Sequence, residues 1–167
     1  AEIIQEVGLP DGVVNIVTGA GDTGKFLAEH KNVQKVAFTG STEVGKMLMR
    51  GTAGSGKKLT LELGGKSPNI IFADAAIDQA VEGIISGIYF NQGHVCCAGS
   101  RLFVEESILD EVVSKLTHRM RSLRVGDPLD KNTDLGAINS KTQLETVERY
   151  MRTGVDEGAQ LHEIHEE

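Results

Sequence analysis

Short runs of β-branched and apolar residues alternate with longer stretches whose apolar positions recur every three or four residues, a pattern that predicts strands and helices in turn. Residues 13–17, rich in Val and Ile, follow the turn Leu9-Pro10-Asp11-Gly12 and lead into a glycine cluster, which predicts a strand and then a loop. A helix is expected over 23–30, a strand over 35–38, and a turn at Thr39-Gly40-Ser41. Ser41 is a good N-cap for a helix over about 42–50, and 59–63 reads as a third strand. Strand, helix, strand, helix, strand is the order of a parallel sheet with crossover helices.

After Gly64-Gly65, a strand is expected over 69–72 and a helix over 76–90, where Ile77, Ala80, Val81, Ile84, Ile85 and Ile88 fall on one helical face. Residues 91–100 form a polar loop that contains both cysteines. A strand over 102–104, helices over 108–123 and 141–152, and the beginning of a strand over 160–164 complete the reading. There is no internal repeat, low-complexity segment or Pro/Ser linker. The fold class is α/β, with a change of domain near Gly64-Gly65.

At 167 residues the chain has room for about one domain or two halves of a split one. Its 25% charged and 40% hydrophobic content is that of a globular protein. The net charge of −7 comes without any basic run, and there is no Trp and only 4% aromatic residues. Neither a phosphate backbone nor a base-stacking platform is favoured, so nucleic acid is not an expected partner. No stretch reaches the ~18 apolar residues of a membrane span. The chain starts Ala-Glu-Ile-Ile, without an initiator Met or a charged-then-apolar leader, and is expected to be a piece of something longer with no signal peptide at this end. Cys96 and Cys97 are adjacent, where a mutual bridge is strained, and are expected as free thiols in a reducing, cytoplasmic setting.

Three glycine-rich segments could meet phosphate. Gly19-Ala20-Gly21-Asp22-Thr23-Gly24 fits a dinucleotide fingerprint, but Phe38-Thr39 stands where an acid should close the second strand, so a simple glycine turn is the other reading. The same residues with Lys25 nearly make a P-loop, except that Phe26 replaces the metal-binding hydroxyl. Residues 51–57 fail likewise, with Lys58 at that position. Gly40-Ser41-Thr42-Glu43-Val44-Gly45 follows a strand, and its amides and helix dipole suit either a pyrophosphate or a plain helix cap.

Two positions could carry chemistry. Gly93 and Gly99 bracket His94-Val95-Cys96-Cys97, where a loop thiol could be a nucleophile or a small buried apolar group. A zinc site from His94, Cys96 and Cys97 is not expected, because such short spacing does not wrap a tetrahedron and there is no other Cys. Glu62 breaks an apolar stretch at the end of a parallel strand, where such sheets place ligands. It could be a desolvated general base or a paired structural acid.

Taken together, Phe38-Thr39-Gly40-Ser41-Thr42-Glu43-Val44-Gly45, Leu61-Glu62-Leu63-Gly64-Gly65-Lys66-Ser67-Pro68 and Phe90-Asn91-Gln92-Gly93-His94-Val95-Cys96-Cys97-Ala98-Gly99-Ser100-Arg101 closely resemble the aldehyde dehydrogenase superfamily. The resemblance covers nearly the whole chain, and Glu62 and Cys96 stand 34 residues apart, as its base and nucleophile do. It implies a Rossmann-like half-domain over 1–63, carrying part of an NAD(P) site, and part of an α/β catalytic domain over 64–167.

The resemblance further implies that Cys96, three residues after Gly93, is the nucleophile, that Cys97 is a neighbour, and that Glu62 is the general base. Gly40, Ser41, Thr42 and Gly45 would face the pyrophosphate of NAD or NADP, Gly21 and Gly24 would line the adenosine side, and Leu63 and Gly64 would complete the cofactor contacts. The dinucleotide fingerprint is then a partial decoy. No metal is implied. An aldehyde is the implied substrate, and the parent protein would be a homo-oligomer. One position departs from the pattern: His94 stands where Gln or Glu is usual, which affects the hydrogen bonding of the loop. The family's oxyanion Asn, ribose-binding residues and oligomerisation strands would lie outside these 167 residues. The competing expectation is a catalytically silent piece that serves only binding or assembly. Trp-Asn-Phe-Pro-like and Glu-x-Phe-Gly-Pro-like segments on either side of the coding sequence would decide between the two.

Overall fold

The computed structural model describes residues 2–163. It combines helices with parallel strands, the α/β class expected, and divides into two compact units, Ala1–Gly64 and Gly65–Glu167.

The first unit comprises α1 (Glu2–Glu6), α2 (Gly21–Glu29), β1 (Lys35–Thr39), α3 (Thr42–Thr52) and β2 (Lys58–Glu62). β1 and β2 pair in parallel from Lys35↔Lys58 to Thr39↔Glu62, and α3 is their crossover. Alternation places Val36, Phe38, Leu59 and Leu61 on the half-buried face and their neighbours on the exposed one. Ser41 caps α3 as expected, its Oγ accepting from Val44 N–H at 3.3 Å. The turn leaving α3 uses left-handed glycines at Gly54 and Gly56 (φ +73° each). Lys57 then reaches back, donating from Nζ to the carbonyls of Ala28 (2.6 Å) and His30 (2.9 Å) at the C-terminal end of α2, where a cation suits the helix dipole.

The strand expected over 13–17 is not formed. Val13 N–H turns back to Pro10 O at 3.3 Å and Asn15 Nδ2 donates to Gly12 O at 2.8 Å. Val13, Val14, Ile16 and Val17 are exposed. β-branched residues favour extended backbone, but a strand exists only when its peptide groups pair with a neighbour. Among the described residues no strand pairs with this segment.

The second unit comprises β3 (Pro68–Ile71), α4 (Ile77–Tyr89), β4 (Arg101–Val104), α5 (Leu109–Met120) and α6 (Lys141–Asp156), with single 3₁₀ turns at Phe90–Gly93 and Glu106–Ile108. β3 and β4 pair in parallel from Pro68↔Arg101 to Ile71↔Val104, with α4 as crossover. The apolar stripe read on α4 is the face it buries: Ile84 joins Ile71 and Val112 in a core ringed by Ala80, Ile88, Leu102, Val104 and Leu116. Val112 on α5 is fully buried. Across the solvent edge of the α4–α5 pair, Lys115 Nζ donates to Asp78 Oδ1 (2.5 Å) and Arg119 Nε to Glu82 Oε1 (2.7 Å), exposed pairs that set register more than stability.

α5 ends earlier than expected because Ser122 Oγ takes up the Arg119 carbonyl at 2.8 Å, ending the helical ladder. α6 runs on to Asp156 and stops before Gly158, whose φ of +95° leaves the helical region. The strand expected over 160–164 is absent from Gln160 to Glu163, and Ile164 lies outside the described residues. No helix among the described residues is long and apolar enough to cross a membrane.

Candidate active site

In the first unit the end of β2 meets the start of α3. Gly40 N–H donates to the Glu62 carbonyl at 3.0 Å, carrying the β1–β2 ladder one step past its last paired residues. This fixes the Glu62 backbone, while the Glu62 side chain is exposed rather than desolvated within its unit. Leu63 folds over the first turn of α3. A Cβ on the buried Gly45 would fall 2.6 Å from Leu63 Cδ2, so glycine is what lets the end of β2 and α3 approach. At Gly40 the space of a side chain is taken by the Phe38 ring. Gly40, Ser41, Thr42, Gly45, Leu63 and Glu62 are thus brought together around one strand end and one helix start.

Gly21 and Gly24 lie on the first turns of α2 and border a groove of about 850 Å³ lined chiefly by apolar atoms, with Val36 and Phe38 of β1 and Val44 and Met47 of α3 among its walls. Neither glycine has a heavy atom within 4 Å of where a Cβ would stand, so both leave that wall open. The groove runs between α2 and α3 along their length, from Gly21 to Glu29 on one side and from Val44 to Thr52 on the other. Gly64, at the end of the unit, is exposed.

In the second unit the thiols sit on a turn held at both flanks. Ala98 N–H closes the turn on Val95 O at 3.0 Å, which puts Cys96 and Cys97 at its two central positions. Both thiols are free and exposed. Downstream, Ala98 is buried and Gly99 N–H donates to Gly87 O on α4 at 3.1 Å. Upstream, Asn91, Gln92 and Gly93 are consecutive left-handed residues, with φ of 51°, 54° and 73°. For Gly93 that conformation is free, and a Cβ there would press on Ile88 O at 3.1 Å. For Gln92 it costs roughly 1–2 kcal/mol, and for Asn91, whose short amide tolerates the region, less. The exposed His94 contributes its backbone N–H, donated to Asn91 O at 3.0 Å.

The strap 65–67 runs beside this turn. A Cβ on Gly65 would stand 3.3 Å from the Cys96 carbonyl oxygen. Arg101, the first residue of β4, anchors the strap by donating from Nε to Lys66 O (2.8 Å) and from its backbone N–H to Ser67 O (3.2 Å). Gly65, Gln92 and Arg101 appear in the motifs of the sequence, yet nothing local to any of them marks it as a support of the thiol turn. Glu62 belongs to the first unit and Cys96 to the second.

Comparison with known proteins gives one consistent answer. The model of the aldehyde dehydrogenase family matches residues 1–163. The mitochondrial aldehyde dehydrogenase of Homo sapiens is 50% identical over 163 residues, which are 96% of this chain and 32% of that protein. The crystal structure of an NAD-dependent aldehyde dehydrogenase from Sinorhizobium meliloti superposes with a TM-score of 0.95 at 47% identity, over 98% of this chain and 33% of that one. An NADP-dependent enzyme of E. coli superposes with a TM-score of 0.92 at 38% identity, over 95% of this chain and 33% of the other. The chain therefore spans about a third of the length of these relatives.

Proposed function

The chain belongs to the aldehyde dehydrogenase family, and we propose that the protein carrying it oxidises an aldehyde to a carboxylic acid with NAD or NADP, using Cys96 as nucleophile and Glu62 as general base. The observation that carries this reading is the exposed Cys96 on a turn braced at both flanks, in a chain so similar to NAD- and NADP-dependent enzymes.

In this mechanism residues 1–64 belong to the cofactor-binding side and residues 65–167 to the catalytic side. Gly21 and Gly24, with the groove they border, would take the adenosine portion, and Gly40, Ser41 and Thr42 would face the pyrophosphate at the start of α3, with Gly45 buried behind them against Leu63. Leu63 and Gly64 close this side. The Cys96 thiolate adds to the aldehyde carbon, forming a C–S bond and an oxyanion. A bound nicotinamide supplies the acceptor for the hydride that this carbon gives up, which leaves a thioester on Cys96. Glu62 then takes a proton from water, the resulting hydroxide adds to the thioester carbonyl, and the C–S bond breaks to return the thiolate and release the acid. Two exposed free thiols fit a reducing compartment such as the cytoplasm.

The test is a pair of substitutions in the full-length protein. Cys96→Ala should abolish aldehyde-dependent cofactor reduction, and Cys97→Ala should leave most of it. Equal loss in two folded variants would show that the nucleophile is misassigned.

A further inference from the structure

We propose that Gln92 is a positioning residue for the Cys96 thiol: its carboxamide ties the left-handed run 91–93 to the loop 124–136 and so sets where the turn that follows holds the nucleophile. The inference rests on the reading of Cys96 given above.

Two adjacent non-glycine residues in the left-handed region persist only where their surroundings hold them there. The bond from His94 N–H to Asn91 O closes the local turn but involves no group outside it. The Gln92 side chain supplies the outside constraint. The surrounding donors and acceptors assign the amide orientation: with its oxygen toward Gly136 it accepts the Gly136 N–H at 2.9 Å and its NH₂ donates to the Asn91 carbonyl and to Asn91 Oδ1, both at 3.1 Å, whereas the opposite orientation sets donor against donor and acceptor against acceptor. One half-buried amide thus ties the first residue of the strained run to Gly136.

The partner of this clamp is itself cross-linked by hydrogen bonds. Leu135 N–H and Asp134 N–H both donate to Arg124 O (3.0 and 2.9 Å), Gly126 N–H donates to Leu135 O (3.0 Å), and the Asp134 carboxylate accepts from Arg124 N–H at 2.9 Å. Pro128 packs 3.4 Å from where a side chain on Gly136 would begin. The thiol turn therefore has a downstream anchor through Gly99 on α4 and an upstream anchor through Gln92 on this loop. Loss of the carboxamide frees only the upstream flank, a change in the placement of Cys96 and not in the core. A misplacement of about 1 Å at a reacting atom can lower a rate ~100-fold.

The experiment compares Gln92→Met, Gln92→Glu and Cys96→Ala in the full-length protein, measuring kcat, KM for aldehyde and cofactor, and the melting temperature. The glutamate keeps the acceptor for Gly136 and loses the donor to Asn91. Both Gln92 variants should lower kcat by about tenfold or more, with each KM changed less than about twofold and melting close to wild type. A kcat near wild type in either folded Gln92 variant, beside an inactive Cys96→Ala, overturns the positioning role and leaves the nucleophile standing. Activity retained in Cys96→Ala overturns both. Loss of the fold in both Gln92 variants makes Gln92 a determinant of folding and overturns the proposal.

Discussion

The carbonyl oxygen of Cys96 lies 3.3 Å from the point where a side chain on Gly65 would begin. The strap that follows β2 can pass the thiol turn this closely only because residue 65 has no Cβ. The contact is to backbone, which cannot swing aside as the end of a flexible side chain would.

Gly65→Ala should therefore shift the strap or the turn by a few tenths of an ångström. In the full-length protein the expected outcome is a fall in kcat of about 3- to 10-fold, below the ~100-fold of a full 1 Å displacement, with little change in melting temperature. Steady-state kinetics beside a thermal melt checks this, and an unchanged kcat would mean that the contact relaxes elsewhere.

Glu62→Gln should separate the two halves of the reaction, because a carboxamide cannot take a proton from water. A pre-steady-state burst of reduced cofactor is expected to survive while turnover collapses by about 100-fold or more, the size of a general-base contribution. Loss of the burst along with turnover would place Glu62 in the earlier step.

The Asp134 carboxyl is held below its usual value of 3.8, first by the Arg124 backbone N–H and then by the Arg124 side chain. A carboxyl whose folded pKa is lowered contributes stability above the unfolded value and loses it as pH falls through the folded one. Asp134→Asn should thus melt below wild type at neutral pH, and the gap should close as pH drops below the ordinary carboxylate range. Melting curves over a pH series test the sign, and a gap that stays constant into acid would exclude the carboxylate charge as its source.

Ser41→Ala removes the acceptor for Val44 N–H at the start of α3. The expected loss is about 1 kcal/mol, seen as a lower melting temperature, with Ser41→Asp retaining most of the stability. An alanine variant that melts like wild type would show that α3 needs no side-chain cap.

Much of this molecule is legible one residue at a time. The stripe on α4, the existence of β1 and β2 and the cap at Ser41 follow from periodicity and local backbone preference, which are properties of neighbouring residues. The family was legible too, because ordered motifs around Glu62 and Cys96 survive in linear order. What only the tertiary structure decided depends on groups distant in sequence. Residues 13–17 have the composition of a strand and remain unpaired, since a strand is made by its neighbour as much as by itself. Gly65 reads as one more glycine until the Cys96 carbonyl is placed against it, and Gln92 as a loop amide until Gly136 presents its N–H. Composition selects what a segment can do. Through-space contact, which no local period records, selects what it does.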